Sequence, residues 1–414
     1  MAKVFPFRAY RYAPEAGPLD HLATQPYDKI TPAMQDRYLS LSKYNLVRII
    51  LGKRAVSDSD TDNVYTRAAA HLKDWIGSGI LKQDAEPGFY AYYQEFEDPD
   101  TGERCTRKGF IGACQVEEYS AGVVHRHEQT LSGPKKDRLE LLRHTEAHFG
   151  QIFMLYPDPA GAVDRILDEA ASHKPDGEAT DDYKVVHRLW RISDPGQVAR
   201  IQELMEDKKL VIADGHHRYE TALAYSRENP KRDAQRVMMT FVNMNAPGLR
   251  ILATHRLVNS LEGFDGGQLV EKLKGLGTVT SFESAEEFKA AFSKPAPEKI
   301  RIGVTLAGDK RVHQLEVPRK GALDVNFLHQ LVLDGILGIG EEAVREQKYL
   351  SYFRGLDAAL DAVSKGEAQV GFLLEATTVE QVGKVSFGGA VMPQKSTDFY
   401  PKLLSGMTVY KLES

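Results

Sequence analysis

The chain has 414 residues, 42% hydrophobic and 27% charged, which suits a globular protein of more than one domain and argues against disorder. Its net charge of −5 and pI of about 6.3 argue against a broad nucleic-acid surface, which needs a basic excess. No apolar run approaches the roughly 18 residues of a membrane span, the first twenty residues hold no signal-peptide core, and two cysteines, Cys105 and Cys114, exclude a disulfide scaffold or a four-cysteine zinc site. The expected compartment is the cytoplasm, with both thiols reduced on adjoining strands.

In chain order, the proline-rich first fifty residues contain a turn at Pro26-Tyr27-Asp28, a helix from about Thr31 and an apolar run at Asn45–Leu51 that reads as a strand. Ala68, Leu72, Trp75 and Ile76 mark one face of a helix within 61–81. The aromatic runs 88–98 and 107–119, joined by DPDTG, predict a hairpin. After the polar loop VVHRHEQTLSGPKK, Leu139, Leu142, Thr145 and Phe149 predict a helix over 137–153, and 154–159 a strand ending in a turn. Residues 160–208 read as mostly helical, 208–214 as a buried strand, 216–229 as a helix stopped by Pro230, and 237–244 as a strand. Farther on come a hairpin at 301–317, a helix at LDVNFLHQLVLDGILG, a strand at 369–376, a helix and loop at 379–389, and a final strand at 407–413.

Three constellations carry possible chemistry. Asp214-Gly215-His216-His217-Arg218 follows a buried strand and opens a helix. Helix-start N–H groups lack partners and carry partial positive charge, so a phosphate is stabilised there, and Arg218 adds a bidentate contact. Gly215 lets a ligand come close. The alternative is an ordinary N-cap at Asp214 with surface histidines. The second run is His125-Arg126-His127-Glu128-Gln129-Thr130, then Ser132 to Arg138. Glu128 suits a general base or metal ligand, with Lys136 and Arg138 as phosphate contacts. His-x-His on an extended segment sets both rings on one side, which suits a metal. A solvated loop is the competing reading. The third is the Pro-bounded loop 392–402, where Lys395, Ser396 and Thr397 could hold phosphate without the glycines of a Walker motif. Tyr27 and Asp28, followed by Asn45 and Arg48, say little by themselves.

Taken together, PYDKI (26–30), YNLVRIIL (44–51), HEQTLSGPKKDRLELLRHTEAHFGQIF (127–153), IADGHHRYETAL (212–223), LATHRLV (252–258) and MPQKSTDFYPKLLSG (392–406) resemble an uncharacterised prokaryotic family, the domain-of-unknown-function family numbered ten-fifteen. The family pattern usually has Pro where Gln25 stands and Asn near His148. More distantly, the Asp-Gly-His-His-Arg turn is similar to the phosphate turn of the ParB/sulfiredoxin-like superfamily. That resemblance implies a mixed α/β (α+β) fold: a ParB/sulfiredoxin-like nucleotide-binding domain at 1–235 and a second α/β domain at 236–414 that supplies the 392–402 loop. The turn lacks the reactive cysteine of sulfiredoxin, and the acidic balance argues against the DNA-binding partition proteins. Free-serine kinases remain. The implied activity is nucleotide-dependent phosphoryl transfer to a small hydroxyl compound such as free serine. The 214–218 turn, Lys136, Arg138 and the 395–397 loop would take phosphates. Glu128 with His127 would act catalytically, Tyr27 and Asp28 would contact substrate, and Mg²⁺ would accompany ATP or ADP. The rivals are a metal-dependent phosphoester hydrolase using His125, His127, Asp214, His216 and His217, and a nucleotide-binding module without turnover. The expected partners are a small molecule and a nucleotide, with no nucleic acid or membrane; a homodimer is left open.

Overall fold

A computed structural model describes residues 1–128, 135–231 and 233–413. The chain divides into two compact units. The first holds 1–126, 132–249 and 401–414, and the second holds 127–131 and 250–400. The dividing point expected at 235 therefore lies at 249, because the strand that follows 235 is internal to the first unit's sheet.

In the first unit the elements are β1 (Val4–Phe5), β2 (Tyr10–Tyr12), α1 (Pro32–Leu41), α2 (Val47–Ile50), α3 (Val64–Gly77), β3 (Leu81–Gln83), β4 (Phe89–Glu97), β5 (Arg104–Gln115), β6 (Val124–Arg126), α4 (Lys135–Thr145), β7 (Ala147–His148), β8 (Ile152–Tyr156), α5 (Ala162–Ala170), β9 (Gly177–Thr180), β10 (Val186–Ile192), α6 (Pro195–Glu206), β11 (Leu210–Asp214), α7 (His216–Glu228) and β12 (Arg236–Asn243). A nine-stranded mixed sheet runs β6-β11-β8-β12-β5-β4-β10-β9, with β1 also on β5. β6 is parallel to β11 and β8 to β12; the other neighbours are antiparallel. Val163 and Leu167 of α5, Ile201 and Met205 of α6, and Tyr219 and Ala222 of α7 bury themselves with Phe89, Phe110, Ile212 and Phe241. A second core joins α2, α3 and α4 through Ile49, Ile50, Ala68, Leu72, Trp75 and Leu141. Each such large apolar side chain stabilises the fold by roughly 1.5–3 kcal/mol.

Several expectations need correction. Asn45–Leu51 is not a strand: the Asn45 side chain accepts from Val47 N–H at 3.0 Å and starts α2. The helix foreseen over 137–153 stops at Thr145, whose hydroxyl donates to Leu141 O at 2.7 Å, and Glu146 then takes a left-handed φ of +47°. Residues 160–208 contain β9 and β10 besides α5 and α6. Cys105 and Cys114 lie on one strand, β5, both buried and unbridged. The loop after 121 contains β6, which pairs with β11. The final strand shrinks to Tyr410–Lys411, paired with β7.

The second unit holds β13 (Arg250–Leu252), β14 (Thr254–Val258), α8 (Gly266–Lys274), β15 (Thr278–Phe282), α9 (Ala285–Phe292), β16 (Lys299–Leu306), β17 (Val312–Pro318), α10 (Asp324–Phe327), α11 (Glu341–Arg345), β18 (Leu350–Arg354), α12 (Leu356–Ser364), β19 (Val370–Leu374), α13 (Val379–Phe387) and β20 (Asp398–Tyr400). Its six-stranded sheet, β15-β17-β16-β19-β14-β18, is antiparallel throughout, and β13 pairs with β20. The predicted hairpin at 301–317 is β16–β17, and the helix at 323–338 winds wider over Leu328–Asp334. Leu257, Phe288, Phe292, Leu360, Val363 and Leu373 form the core between this sheet and its helices. No helix among the described residues is long and apolar enough to cross a membrane.

Candidate functional site

The strand-to-helix turn of the first unit is built as its sequence predicts. Leu210, Val211 and Ile212 are fully buried and bring Asp214 to the end of β11. Gly215 follows at φ +93° and ψ +28°, a conformation that costs other residues about 1 kcal/mol or more, and α7 begins with no side chain capping it. Asp214 is therefore not the helix cap. Its Oδ2 accepts from the Arg218 guanidinium at 2.6 Å, and its Oδ1 lies 3.2 Å from Lys402 Nζ. Burial pushes the carboxyl pKa up, but Lys402, Arg218 and Lys29 outweigh it and hold the group well below the usual carboxylate range.

Arg218 is braced on every side. It also donates to the carbonyl of Gln151. A Cβ on Gly215 would meet its guanidinium carbon at 3.1 Å, and one on Gly150 would lie 3.5 Å from its Nη1, so the side chain rests against two glycines. His216 and His217 are half-buried in the first turn of α7, and Nε2 of His217 is buried with no hydrogen-bond partner among the described residues.

Beside this turn, still in the first unit, a cavity of about 70 Å³ is lined by Tyr27, Arg138, His148, Gly150, Arg218 and Ser405, among others. Arg138 lies over the Tyr27 ring at 4.2 Å and donates to Ile50 O at 2.7 Å. Burial raises the Tyr27 phenol pKa and nearby Asp28 adds to it, while Arg218 and Arg138 oppose the rise. The structure thus gathers Tyr27, Arg138 and Arg218, which lie far apart in the chain. Asp28 and Lys136 are exposed and do not line this cavity. Asn45 and Arg48 are structural: Asn45 donates to His21 O at 2.7 Å and Arg48 to Leu39 O at 2.8 Å.

The other predicted residues form a separate group within the second unit. His127 is 1% exposed, its Nε2 is 2.6 Å from Thr397 Oγ1, and its carbonyl accepts from Met392 N–H at 2.8 Å. Glu128 Oε1 accepts the Lys395 backbone N–H at 2.6 Å, and its Oε2 is 3.6 Å from His127 Nε2. Lys395 holds a left-handed φ of +59°, its N–H on Glu128 and its carbonyl on Arg256 at 2.9 Å. Ser396 is buried and donates to Pro393 O at 2.6 Å. Gln129, Thr130, Ser132, Gly133 and Pro134 lie outside the described residues.

The paired-histidine metal reading loses its geometry. His125 ends on β6 with Nε2 3.1 Å from Gly122 O, whereas His127 belongs to the second unit. The strand stops at Arg126, and the backbone of His127 turns to pair with the 392 segment instead. Among the described residues no three His, Cys, Asp or Glu side chains gather as a metal would require.

Lys402 and Lys29 were missed as partners of the turn. Lys402 stood in the 392–402 run, and its charge was the available signal, but nothing local ties it to a carboxylate 188 positions earlier.

Fold and site define a mixed α/β protein of two units, with a strand-to-helix turn whose half-buried carboxylate is held by cations. The chain belongs to the family described as a protein of unknown function, DUF1015, whose model matches residues 4–336. No curated protein matches it. Among solved structures, it is similar to a conserved hypothetical protein from Pyrococcus furiosus, with 16% identity over 67% of this chain and 87% of that one, at a TM-score of 0.34. A free serine kinase in complex with AMP is 17% identical over 67% of this chain and 83% of that one, at 0.35. A C-terminally truncated SbnI from Staphylococcus aureus is 10% identical over 71% and 85%, at 0.36. With TM-scores this low, none of these likenesses bears on what the chain does.

Proposed function

We propose that the chain is a nucleotide-dependent phosphotransferase acting on a small hydroxyl compound, with free serine the first acceptor to test, and that its first unit holds the nucleotide's phosphates at the Asp214–Arg218 turn. The carrying observation is the uncapped start of α7 beside Asp214, whose carboxylate is contacted by Arg218 and Lys402 and acted on electrostatically by Lys29. Helix-start dipoles and fixed cations together favour a multiply charged anion. The adjoining cavity, with the Tyr27 ring and Arg138, supplies a surface for the rest of the molecule. The Asp214 carboxylate is taken up by two cations, so Mg²⁺ belongs to this reading as the ion that travels with ATP or ADP.

A second reading, binding without turnover, is favoured by one observation: the expected base, Glu128, already accepts a backbone N–H through Oε1. Two measurements separate them. A thermal-shift series against ATP, ADP, CTP, GTP and pyrophosphate, with and without Mg²⁺, tests binding. A ligand at a hundredfold excess over its Kd adds about 2.7 kcal/mol of stability. The expected result is a rise with at least one nucleotide that Arg218→Ala abolishes; no rise with any of them sinks both readings. Incubation of that nucleotide with serine then tests transfer. Phosphoserine formed by the wild type and lost in Glu128→Gln, with nucleotide binding kept, supports the kinase. Binding with no product over hours leaves the module.

A further inference from the structure

Arg256 stands at the middle of β14, between β18 and β19. Side chains alternate along a strand, so Leu257 enters the helix-covered core while Arg256 and Thr254 share the opposite face. On that face, within the second unit, lies a cavity of about 690 Å³, lined by Arg256, Leu323, Val325, Leu374, Val385 and other residues.

Arg256 is 1% exposed. Its guanidinium donates to the carbonyls of Thr254 and Lys395 and lies 5.5 Å from the Tyr352 ring centre. Its Nε–H has no acceptor, and among the described residues no carboxylate reaches ion-pair distance. Burial lowers its pKa to about 10, so it remains a cation at neutral pH. An unpaired buried charge is costly, and buried cations normally find an anion. Two of the cavity's three lining carboxylates are committed elsewhere, Glu375 to Arg301 and Asp324 to Arg319 at 2.5 Å, and the third, Glu380, is exposed.

We propose that this second-unit cavity binds an organic monocarboxylate with an apolar body, its carboxylate on Arg256 and its body against Leu323, Val325, Leu374 and Val385. The volume falls within the range of roughly 300–1,000 Å³ common to small-molecule sites. The planar guanidinium of Arg256 matches a planar carboxylate; of the other cations lining the cavity, Arg319 is paired with Asp324 and Lys384 is exposed, whereas a doubly charged phosphate calls for several buried cations.

The test uses the full chain and calorimetric titration with octanoate, 3-phenylpropionate, the neutral octanamide and inorganic phosphate. At least one of the two acids is expected to bind, with octanamide at least tenfold weaker and phosphate not competing. Arg256→Met, which replaces the cation by an apolar side chain of similar length, is expected to lose at least tenfold in affinity for the acid. Equal binding of acid and amide, full affinity in Arg256→Met, competition by phosphate, or no binding of either acid at millimolar concentration overturns the proposal. If Arg256→Met does not fold, Ala376→Trp fills the cavity from an exposed lining position and leaves Arg256 intact. Lost acid binding supports the site there, and unchanged binding overturns it.

Discussion

Asp214, the last residue of β11, and Glu128, two residues past β6, are acidic residues at strand ends, one in each unit, yet they are held in opposite ways. Asp214 faces two cations, Arg218 and Lys402. Glu128 accepts a backbone N–H, with an imidazole 3.6 Å away and the Arg256 cation acting on it from beyond ion-pair distance. A carboxylate that balances buried charge is costly to remove, because its partners stay behind uncompensated. A carboxylate that accepts one N–H can be replaced by any oxygen of the same reach. The same residue class thus marks a charge-bearing turn in one unit and a loop anchor in the other.

The widest gap should appear in stability. Both tryptophans, Trp75 and Trp190, lie in the first unit, so their fluorescence reports that unit's unfolding. Asp214→Ala is expected to lower stability in urea by about 3 kcal/mol, since Arg218 and Lys402 lose their anion. A loss under about 1 kcal/mol would show that these cations find other partners or water. Next in size is an acid effect. His148, stacked on Tyr410, is pushed by burial down to about 4. The unfolded chain takes up this proton near 6.5, so it binds more protons than the folded chain between about 6.5 and 4. Stability therefore falls as pH falls through that window, by about 3 kcal/mol at pH 4, and His148→Asn should flatten this part of the profile. An unchanged slope in the variant would assign the acid loss to other groups.

Gly215→Ala comes third. Its φ of +93° and the guanidinium 3.1 Å from the new methyl predict a loss of about 1–2 kcal/mol. The same variant should weaken any ligand that depends on Arg218; one that binds unaltered would separate the ligand from the turn. Smallest is Glu128→Gln, whose amide oxygen can still accept from Lys395. It should cost under about 1 kcal/mol in the second unit, read by amide hydrogen exchange of that unit's sheet across the urea transition. A large shift of that transition would erase the contrast between the two acids.

What the sequence disclosed follows from the range over which each signal acts. The turn at 214–218 was legible because a buried apolar run, a glycine and a helix pattern are adjacent in the chain. The hairpin of β4 and β5 was legible for the same reason, with DPDTG between two aromatic runs. Asn45–Leu51 misled because a short run of Leu, Val and Ile fits a buried strand as well as a helical turn, and the deciding contact is one side-chain acceptor at Asn45. Residues 146–153 misled because Phe149 keeps helical spacing and is buried, but against the second core of the first unit rather than as part of α4. The partners of Asp214 and the clamp of Glu128 on Lys395 span 188 and 267 positions, beyond any local pattern. Arg256 stood inside a recognised motif, LATHRLV, but its burial without an anion is a property of the sheet.

The last stretch of the first unit has a consequence for how the molecule is made. The chain leaves that unit after 249 and returns to it at 401, so a ribosome must translate 250–400 before Lys402 exists. Until then the nascent first unit lacks a chief counter-charge of Asp214 and lacks the residues that pair with β7. Completion of the cation ring therefore reports that translation has passed the second unit, and a product truncated within that unit carries Asp214 without its Lys402 partner in an unfinished core, open to the proteases that clear incomplete chains.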